Sequence, residues 1–439
     1  MATDSPLPAA PAVAAPAFPF RTALSLAPLV DYWLEREQSA NAGVALLAQA
    51  VGVQVAQAPW ITQPVADSKL LEEHCDLVET LMLAVFPPAS LATDISGAVG
   101  PFQRRSFFST QPFRDIMLNK DGLVKQPLNI DVAAMERQLG LMAYQLVLYR
   151  VYGVELPALG AIIFTVPDYK IGLYRHYSVG FDSTFVRVRV VGEAPPLSDE
   201  QRETLLHNRH RPEVWQQLLP SEHFELEGFN VLRLTDVTEQ EILSELKYDL
   251  LERDVLQTPA RFEQIQEKLR VLFAQPALQL GIAAYDEKKK AFMDFGRKIN
   301  HSFLTKQVQN KASDSSFRQI YQRLLSNREP LVLKDVATSD LPDDLREQIM
   351  SLGIRSAILA LLPYGNDTVG LLELGTPDAG GLDEFDMDTV AQFLPLFAVA
   401  VKRNAEDLQT RVQAIVKEKF TAIHPTMEWR FTDAAQNLL

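Results

Sequence analysis

The sequence predicts an α+β protein, because strand-length apolar runs and helical stripes both recur along its 439 residues. Residues 356–362 and 369–374 are apolar runs joined by Pro363-Tyr-Gly-Asn-Asp-Thr, which is typical of a hairpin connection. The run Phe185-Val-Arg-Val-Arg-Val alternates, so its valines would face inward and its arginines outward. Helical spacing is clearest near the C-terminus, in Val390, Phe393, Leu394, Phe397 and Val401. Pro395 inside that stripe predicts a kink.

Composition excludes several classes of function. The chain has 42 basic and 56 acidic residues, for a net charge of −14, which disfavours non-specific binding to nucleic acid or anionic lipid. No stretch approaches the ~20 consecutive apolar residues of a membrane-spanning helix. A single cysteine excludes an intramolecular disulfide and indicates a reducing compartment. We therefore predict a cytoplasmic protein with neither a nucleic-acid partner nor a membrane span.

The C-terminal region contains Glu329-Pro-Leu-Val-Leu-Lys-Asp-Val, Leu352-Gly-Ile-Arg-Ser and Thr368-Val-Gly-Leu-Leu-Glu-Leu, followed by a predicted helix from Phe385 to Arg403. In this order, these segments resemble the GAF family of small-molecule sensing and dimerisation domains. Glu329-Pro-Leu-Val-Leu-Lys-Asp-Val resembles the third strand of the family, and Leu352-Gly-Ile-Arg-Ser resembles the lead into the fourth. Thr368-Val-Gly-Leu-Leu-Glu-Leu resembles the fifth strand, and Phe385 to Arg403 the closing helix. The resemblance extends back to about Arg261, with a helix over 262–273, a first strand over 278–285 and a helix over 315–325. An unrelated antiparallel α+β domain is the alternative.

A second, shorter resemblance precedes this region. Strands are predicted over 161–166, 171–177, 184–191 and 229–234. The last runs into Thr235-Asp-Val-Thr-Glu, which resembles the exit of PAS sensor domains. A capping box of Thr238 with Glu241 would explain the same residue types by local hydrogen bonding alone.

These patterns divide the chain into six predicted segments. Seven-residue spacing of Val401, Leu408 and Ile415 suits a helix that pairs with a partner helix, so we predict a homodimer. Cys75 lies on the apolar stripe of a predicted helix and is expected to be buried. The segments are a disordered leader (1–20), a helical N-terminal region (21–155), a smaller PAS-like α+β unit (156–238), a connector helix (239–260), the GAF-like domain (261–404), and a C-terminal helix and tail (405–439).

No catalytic motif emerges. His424 lacks the surroundings of a phosphoacceptor histidine, and the sequence has neither a phosphate-binding GxxxxGK[ST] loop nor an HExxH pair. His207, His210 and His223 are the only clustered histidines, and a solvated loop is preferred to a metal site there. The GAF-like region has no cysteine, which excludes thioether attachment of a bilin there and cysteine-dependent methionine sulfoxide reduction. We predict a non-catalytic protein without a metal site, and the sequence identifies no cofactor.

The GAF resemblance implies where a ligand would lie. The family places its pocket between the sheet and the helices and loops that join strands two to four. Arg355 and Ser356 would supply hydrogen bonds to a polar or anionic ligand, although Arg355 would pair equally well with a surface carboxylate. Aromatic residues at the wall would equally serve as core. The implied wall residues are Phe292, Phe295, Phe303, Phe317, Tyr321 and Ile358.

The sequence therefore supports a sensory or regulatory module that binds an unidentified small molecule and signals through its flanking helices. A ligand-free dimerisation scaffold is the alternative, and an enzyme is third. The segment from Ala422 to Phe431 resembles the interior of longer bacterial GAF-containing proteins, so we expect a downstream output domain or partner protein.

Overall fold

The computed structural model describes residues 18–66, 69–157, 160–252, 255–286, 291–292, 302–304 and 311–419. Among these, 18–167 and 176–236 form an N-terminal unit, and 168–175 and 237–419 form a C-terminal unit. In the part of the chain so described, no helix has the length and apolarity needed to cross a membrane. The predicted leader, apart from Phe18 to Phe20, and the tail from residue 420 lie outside the described residues.

The first part of the chain forms eight helices and eight strands within the described residues. The helices are α1 (Ala27–Leu34), α2 (Ala42–Gln57), α3 (Lys69–Glu73), α4 (Cys75–Met82), α5 (Gln111–Met117), α6 (Val132–Tyr152), α7 (Asp199–His207) and α8 (Pro212–Leu218). The strands are β1 (Arg21–Leu24), β2 (Ile95–Val99), β3 (Ser106–Ser109), β4 (Ile162–Asp168), β5 (Leu173–Asp182), β6 (Val186–Val190), β7 (Phe224–Gly228) and β8 (Asn230–Asp236).

These strands form two sheets. The five-stranded sheet has the order β3-β2-β8-β5-β4, and a three-stranded sheet has the order β1-β7-β6, in which β1 runs parallel to β7. The alternation predicted for β6 is confirmed, since Val186 is buried while Arg187 and Arg189 are exposed. The region expected to be helical, 21–155, thus supplies β1, β2 and β3 to the same sheets as the strands of 156–238.

The missed strand β2 has a physical explanation. Its sequence, Ile-Ser-Gly-Ala-Val, lacks the apolar alternation that marks a half-buried strand. Gly97 is required because a Cβ there would lie 2.6 Å from Cε1 of Phe113, a fully buried side chain of α5. Strand β2 is therefore stabilised by tertiary packing against α5, and the hydrophobic pattern of the sequence does not reveal such packing.

Helix α6 carries much of the core of the N-terminal unit. It begins where the Asp131 side chain accepts a hydrogen bond from the amide of Ala134, and it ends at Gly153, whose φ of 67° is left-handed. Tyr144 of α6 packs between Phe20 and Trp215, with ring centroids 4.6 and 5.9 Å away. Burial raises the pKa of Tyr144 to about 12.

The C-terminal unit adds five helices and five strands within the described residues. The helices are α9 (Thr238–Leu251), α10 (Pro259–Leu272), α11 (Lys311–Asn327), α12 (Asp343–Ser351) and α13 (Met387–Lys419). The strands are β9 (Gln279–Asp286), β10 (Ala291–Phe292), β11 (Leu331–Leu333), β12 (Ser356–Tyr364) and β13 (Asp367–Thr376). Pro395 lies inside α13 as expected.

The sheet of this unit is antiparallel with the order β10-β9-β13-β12-β11. The predicted hairpin is confirmed, since β12 and β13 pair from Ser356 with Thr376 to Tyr364 with Asp367. Gly365, in the turn, has a φ of 62°, which a residue with a Cβ rarely adopts. Alternate residues of the hairpin therefore face opposite sides of the sheet.

Each face of this sheet has its own core. Ile358, Leu372 and Leu374 pack with α9, α10 and α13 on the face that we call the connector face. Leu359 and Leu371 pack with α11 and α12 on the other, which we call the ligand face because the predicted pocket belongs there. Helices α9, α10 and α13, which we call the connector helices, are thus part of the core of this unit.

The predicted pairing stripe of α13 is covered by the chain's own helices. Val401, Leu408 and Val412 are 2%, 7% and 2% exposed within the connector-face cluster, together with Leu250 of α9. Asn404, between them, is buried and accepts a hydrogen bond from Gln257 Nε2 at 3.0 Å. The side chain of Ile415 lies outside the described residues. This stripe therefore pairs within the chain, where partner-helix pairing was expected.

Two local expectations differ from the structure. Cys75 is exposed, and it lies where the predicted helix is interrupted, since α3 ends at Glu73 and α4 begins at Cys75. Helix α9 begins at Thr238 with Val237 as its N-cap, whereas the expected capping box has Thr238 itself as the N-cap.

Candidate functional site

The ligand face brings together three of the predicted wall residues. Phe303 and Phe317 are 7% and 4% exposed and belong to one apolar cluster. Tyr321 is one turn further along α11, 5% exposed, with its ring centroid 4.8 Å from that of Tyr285 on β9. All three side chains are therefore buried on this side of the sheet.

The other predicted residues do not join them. Ile358 faces the connector helices on the opposite side of the sheet. Ser356 is fully buried, where its hydroxyl donates to Asp378 O at 2.9 Å and accepts from the amide of Leu382 at 3.1 Å. The backbone of Phe292 lies in β10 opposite Tyr285, and its side chain, like all of Phe295, lies outside the described residues.

Arg355 forms an ion pair with a carboxylate, which was the alternative to ligand binding. Its Nη2 donates to Asp335 Oδ1 and Oδ2 at 3.0 and 2.9 Å, and its Nε donates to Oδ1 at 3.1 Å. These hydrogen bonds hold the pKa of Asp335 below its ordinary value and raise the pKa of Arg355. The guanidinium is thereby directed to a carboxylate in the loop after β11.

A buried carboxylate that sequence reasoning missed lies at the centre of the ligand face. Glu373 of β13 is fully buried. Its Oε1 accepts from the Ser302 hydroxyl at 2.6 Å, and its Oε2 accepts from the amides of Phe303 and Leu304 at 2.8 and 3.4 Å. Burial of a carboxylate is costly unless it is hydrogen-bonded, and these donors stabilise the charged form. The signal available in the sequence was one Glu within the apolar run Val369–Leu374.

The segment 302–304 is held from a second direction by α12. Gln348, 9% exposed, donates from Nε2 to Leu304 O at 2.8 Å. Gly281 of β9 provides the space, since a Cβ there would lie 2.3 Å from Glu373 Oε2 and 2.8 Å from Phe303 Cδ1. The segment is thus anchored through the hydroxyl of Ser302, the amides of Phe303 and Leu304, and the carbonyl of Leu304.

The three histidines that are close together in the sequence lie on separate elements of the structure. His207 ends α7 and its Nδ1 lies 2.8 Å from Glu203 O, whereas His223 precedes β7 and contacts Phe224. His210 lines a cavity of the N-terminal unit. Among the described residues, no group of three or more His, Cys, Asp or Glu side chains is placed to hold a metal ion.

Comparisons with known proteins identify similar folds. No family model and no curated protein matches the chain. A phycoerythrobilin-bound GAF domain of a cyanobacterial phytochrome is 14% identical over 38% of this chain and 96% of that one, with a TM-score of 0.28. A GAF sensor protein from Burkholderia vietnamiensis is 12% identical (38% and 96% covered, TM-score 0.25). Free methionine-R-sulfoxide reductase from Neisseria meningitidis is 13% identical (38% and 91% covered, TM-score 0.26).

At these identities and TM-scores, the comparisons support no conclusion about the function of this chain. Within the C-terminal unit, the elements follow the order that the GAF resemblance implied, from the helix before the first strand to the long closing helix. The α+β class is confirmed by the helices and sheets of the structure itself.

Proposed function

We propose that the chain is a non-catalytic sensory module in which a small molecule binds at the ligand face and changes the packing of the connector helices. The observation that carries this proposal is the placement of Glu373 on β13. The same strand presents Glu373 to segment 302–304 and presents Leu372 and Leu374 to the connector helices. A change at that segment therefore has a direct physical route to the opposite face.

The mechanism is a shift between two populations. A ligand changes the balance of two arrangements only to the extent that it binds one of them better. In the described arrangement, segment 302–304 is anchored by Glu373 and Gln348, and a ligand that competes with Phe303 for the ligand face would release it. The connector helices would pass the change to an output domain or partner protein.

A ligand-free dimerisation scaffold is the second candidate. It is favoured by the filling of the described part of the ligand face, where Phe303, Leu304 and Phe317 are all buried in one apolar cluster. The burial of the α13 stripe within the chain requires such a dimer to use another surface.

Native mass spectrometry of the full chain, purified from its own host, distinguishes the two. We expect a mass excess over the denatured chain that is lost on denaturation. Because Glu373→Gln weakens the anchor of the segment with which the ligand competes, this variant should exceed the ligand occupancy of the unaltered chain. Glu384→Gln, at an exposed carboxylate paired with Lys334, is the matched control and should retain the occupancy of the unaltered chain. A native mass equal to that of a bare dimer, even after incubation with host metabolite extract, would instead support the scaffold.

A further inference from the structure

The N-terminal unit contains a cavity of about 390 Å³ between α6 and the five-stranded sheet. This volume lies within the ~300–1,000 Å³ typical of small-molecule sites. Its walls are mostly apolar, with Met135 and Leu139 from α6, Phe164 from β4, and Phe181 from β5. The cavity is therefore suited to a molecule with an apolar body.

The ionisable side chains that line this cavity are all basic ones. Arg104 contributes a guanidinium, His210 an imidazole, and Gln103 and Gln138 neutral amides. Among the described residues, no Asp or Glu lines the cavity, although acidic residues outnumber basic ones by 56 to 42 in the chain. This local reversal of charge favours an anionic group on the ligand.

Arg104 is fixed in position by the backbone. Its Nε and Nη2 donate to Val124 O at 3.2 and 2.6 Å, and its own carbonyl accepts from the amide of Val124 at 2.8 Å. Among the described residues, Arg104 makes no ion pair. A guanidinium has five N–H donors, so several remain for an anion after the bond to Val124 is made. Little side-chain entropy would be lost when an anion binds.

We propose that this cavity binds an organic monoanion, an apolar chain or ring with one terminal carboxylate that pairs with Arg104. An adjoining cavity of about 570 Å³ shares Ala161, Ile162 and Phe181 but includes the carboxyl group of Glu155, so it lacks this preference for anions. The proposed site lies in the N-terminal unit and is independent of the ligand face described above.

Calorimetric titration of the full chain tests the proposal with octanoate and with 1-octanol, which has the same chain length but no charge. We expect octanoate to saturate one site per chain and 1-octanol to bind at least about tenfold more weakly, because a charge-assisted hydrogen bond is lost. Arg104→Gln should weaken octanoate by a similar factor and leave 1-octanol unchanged. Arg114→Gln is the matched control, since Arg114 also donates to a backbone carbonyl, that of Ser109, but does not line the cavity.

A second pair of variants tests the location without altering charge. Ala134 of α6 lines the cavity and its neighbour Ala133 does not, so Ala134→Trp should abolish octanoate binding and Ala133→Trp should retain it. Equal affinities for octanoate and 1-octanol would overturn the proposal. So would a failure of octanoate to saturate the unaltered chain, or unchanged octanoate binding by Ala134→Trp. Both tryptophan variants keep Arg104, so this test of the binding location does not depend on whether Arg104→Gln folds.

Discussion

At the scale of single residues, Glu373 is the position with the sharpest expected effect. Glutamine has nearly the same shape but presents an N–H₂ group in place of one acceptor oxygen, so it cannot accept from both Ser302 and Phe303. We expect Glu373→Gln to lower the free energy of unfolding by roughly 1–3 kcal/mol. Chemical denaturation measures the loss, and hydrogen exchange should show faster exchange at the amides of Phe303 and Leu304. Equal stability of Glu373→Gln and Glu384→Gln would contradict this role.

Gly281 provides a second residue-scale prediction. A methyl group there would lie 2.3 Å from Glu373 Oε2, a distance that requires the carboxylate or Phe303 to move. We expect Gly281→Ala to destabilise the protein by about 1–3 kcal/mol through overpacking. Gly180→Ala is the matched control on β5, since its Cβ would lie 3.5 Å from Arg233 O, an ordinary contact. Thermal melting of both variants decides the matter, and similar melting temperatures would show that Gly281 has more room than the structure indicates.

At the scale of elements, Lys268 joins two connector helices. Its Nζ, on α10, lies 3.0 Å from Glu245 and 2.7 Å from Asp249 on α9. Burial opposes the charged form, but the hydrogen bonds to Asp249 and Glu245 prevail and raise the pKa of Lys268 above 10.5. A lysine whose pKa is raised by folding stabilises the fold at neutral pH, and this contribution is lost as pH rises through the folded-state value.

We therefore expect Lys268→Met to destabilise the protein by about 1 kcal/mol at pH 7, since both carboxylates are partly exposed and screened. The difference from the unaltered chain should diminish only above pH 10.5. Lys402→Met removes an exposed pair with Glu406 and should have little effect. Denaturation curves measured from pH 7 to above pH 10.5 test this role of Lys268. A stability difference between Lys268→Met and the unaltered chain that stayed constant over this range would contradict it.

The α13 stripe is the element for which sequence and structure differ most. Seven-residue spacing indicates a helix partner but contains no information about whether that partner belongs to the same chain. Here α9 packs against α13 and the stripe is buried, so we expect Leu408→Ala to cost roughly 2–5 kcal/mol, as for a core leucine. The loss should be the same at all protein concentrations. A loss that varies with concentration would indicate pairing between chains.

Other elements show why the predictions succeeded or failed. The β12–β13 hairpin was predictable because its apolar runs and its turn residues are local signals. Strands β2 and β3 were missed because they are stabilised by partners distant in sequence, such as β8 and Phe113. In the ligand face, the aromatic wall residues could be inferred from resemblance, but the side of the sheet that Ile358 faces depends on the exact register of β12.

At the scale of the whole molecule, each compact unit has apolar clusters of its own. We expect scanning calorimetry to show more than one transition, because separate cores favour separate cooperative steps. Gly281→Ala should lower the temperature of one transition only, that of the C-terminal unit. A single transition that shifts as a whole would show that the units unfold together.

Cys75 has a practical consequence for spectroscopy. It is the only cysteine of the chain, and it is exposed at the start of α4. A thiol-reactive spin label would therefore attach at one known position without any change to the sequence. Dipolar measurements on the labelled protein would give a distance between two labels if chains associate in pairs, and no dipolar signal if each chain is alone.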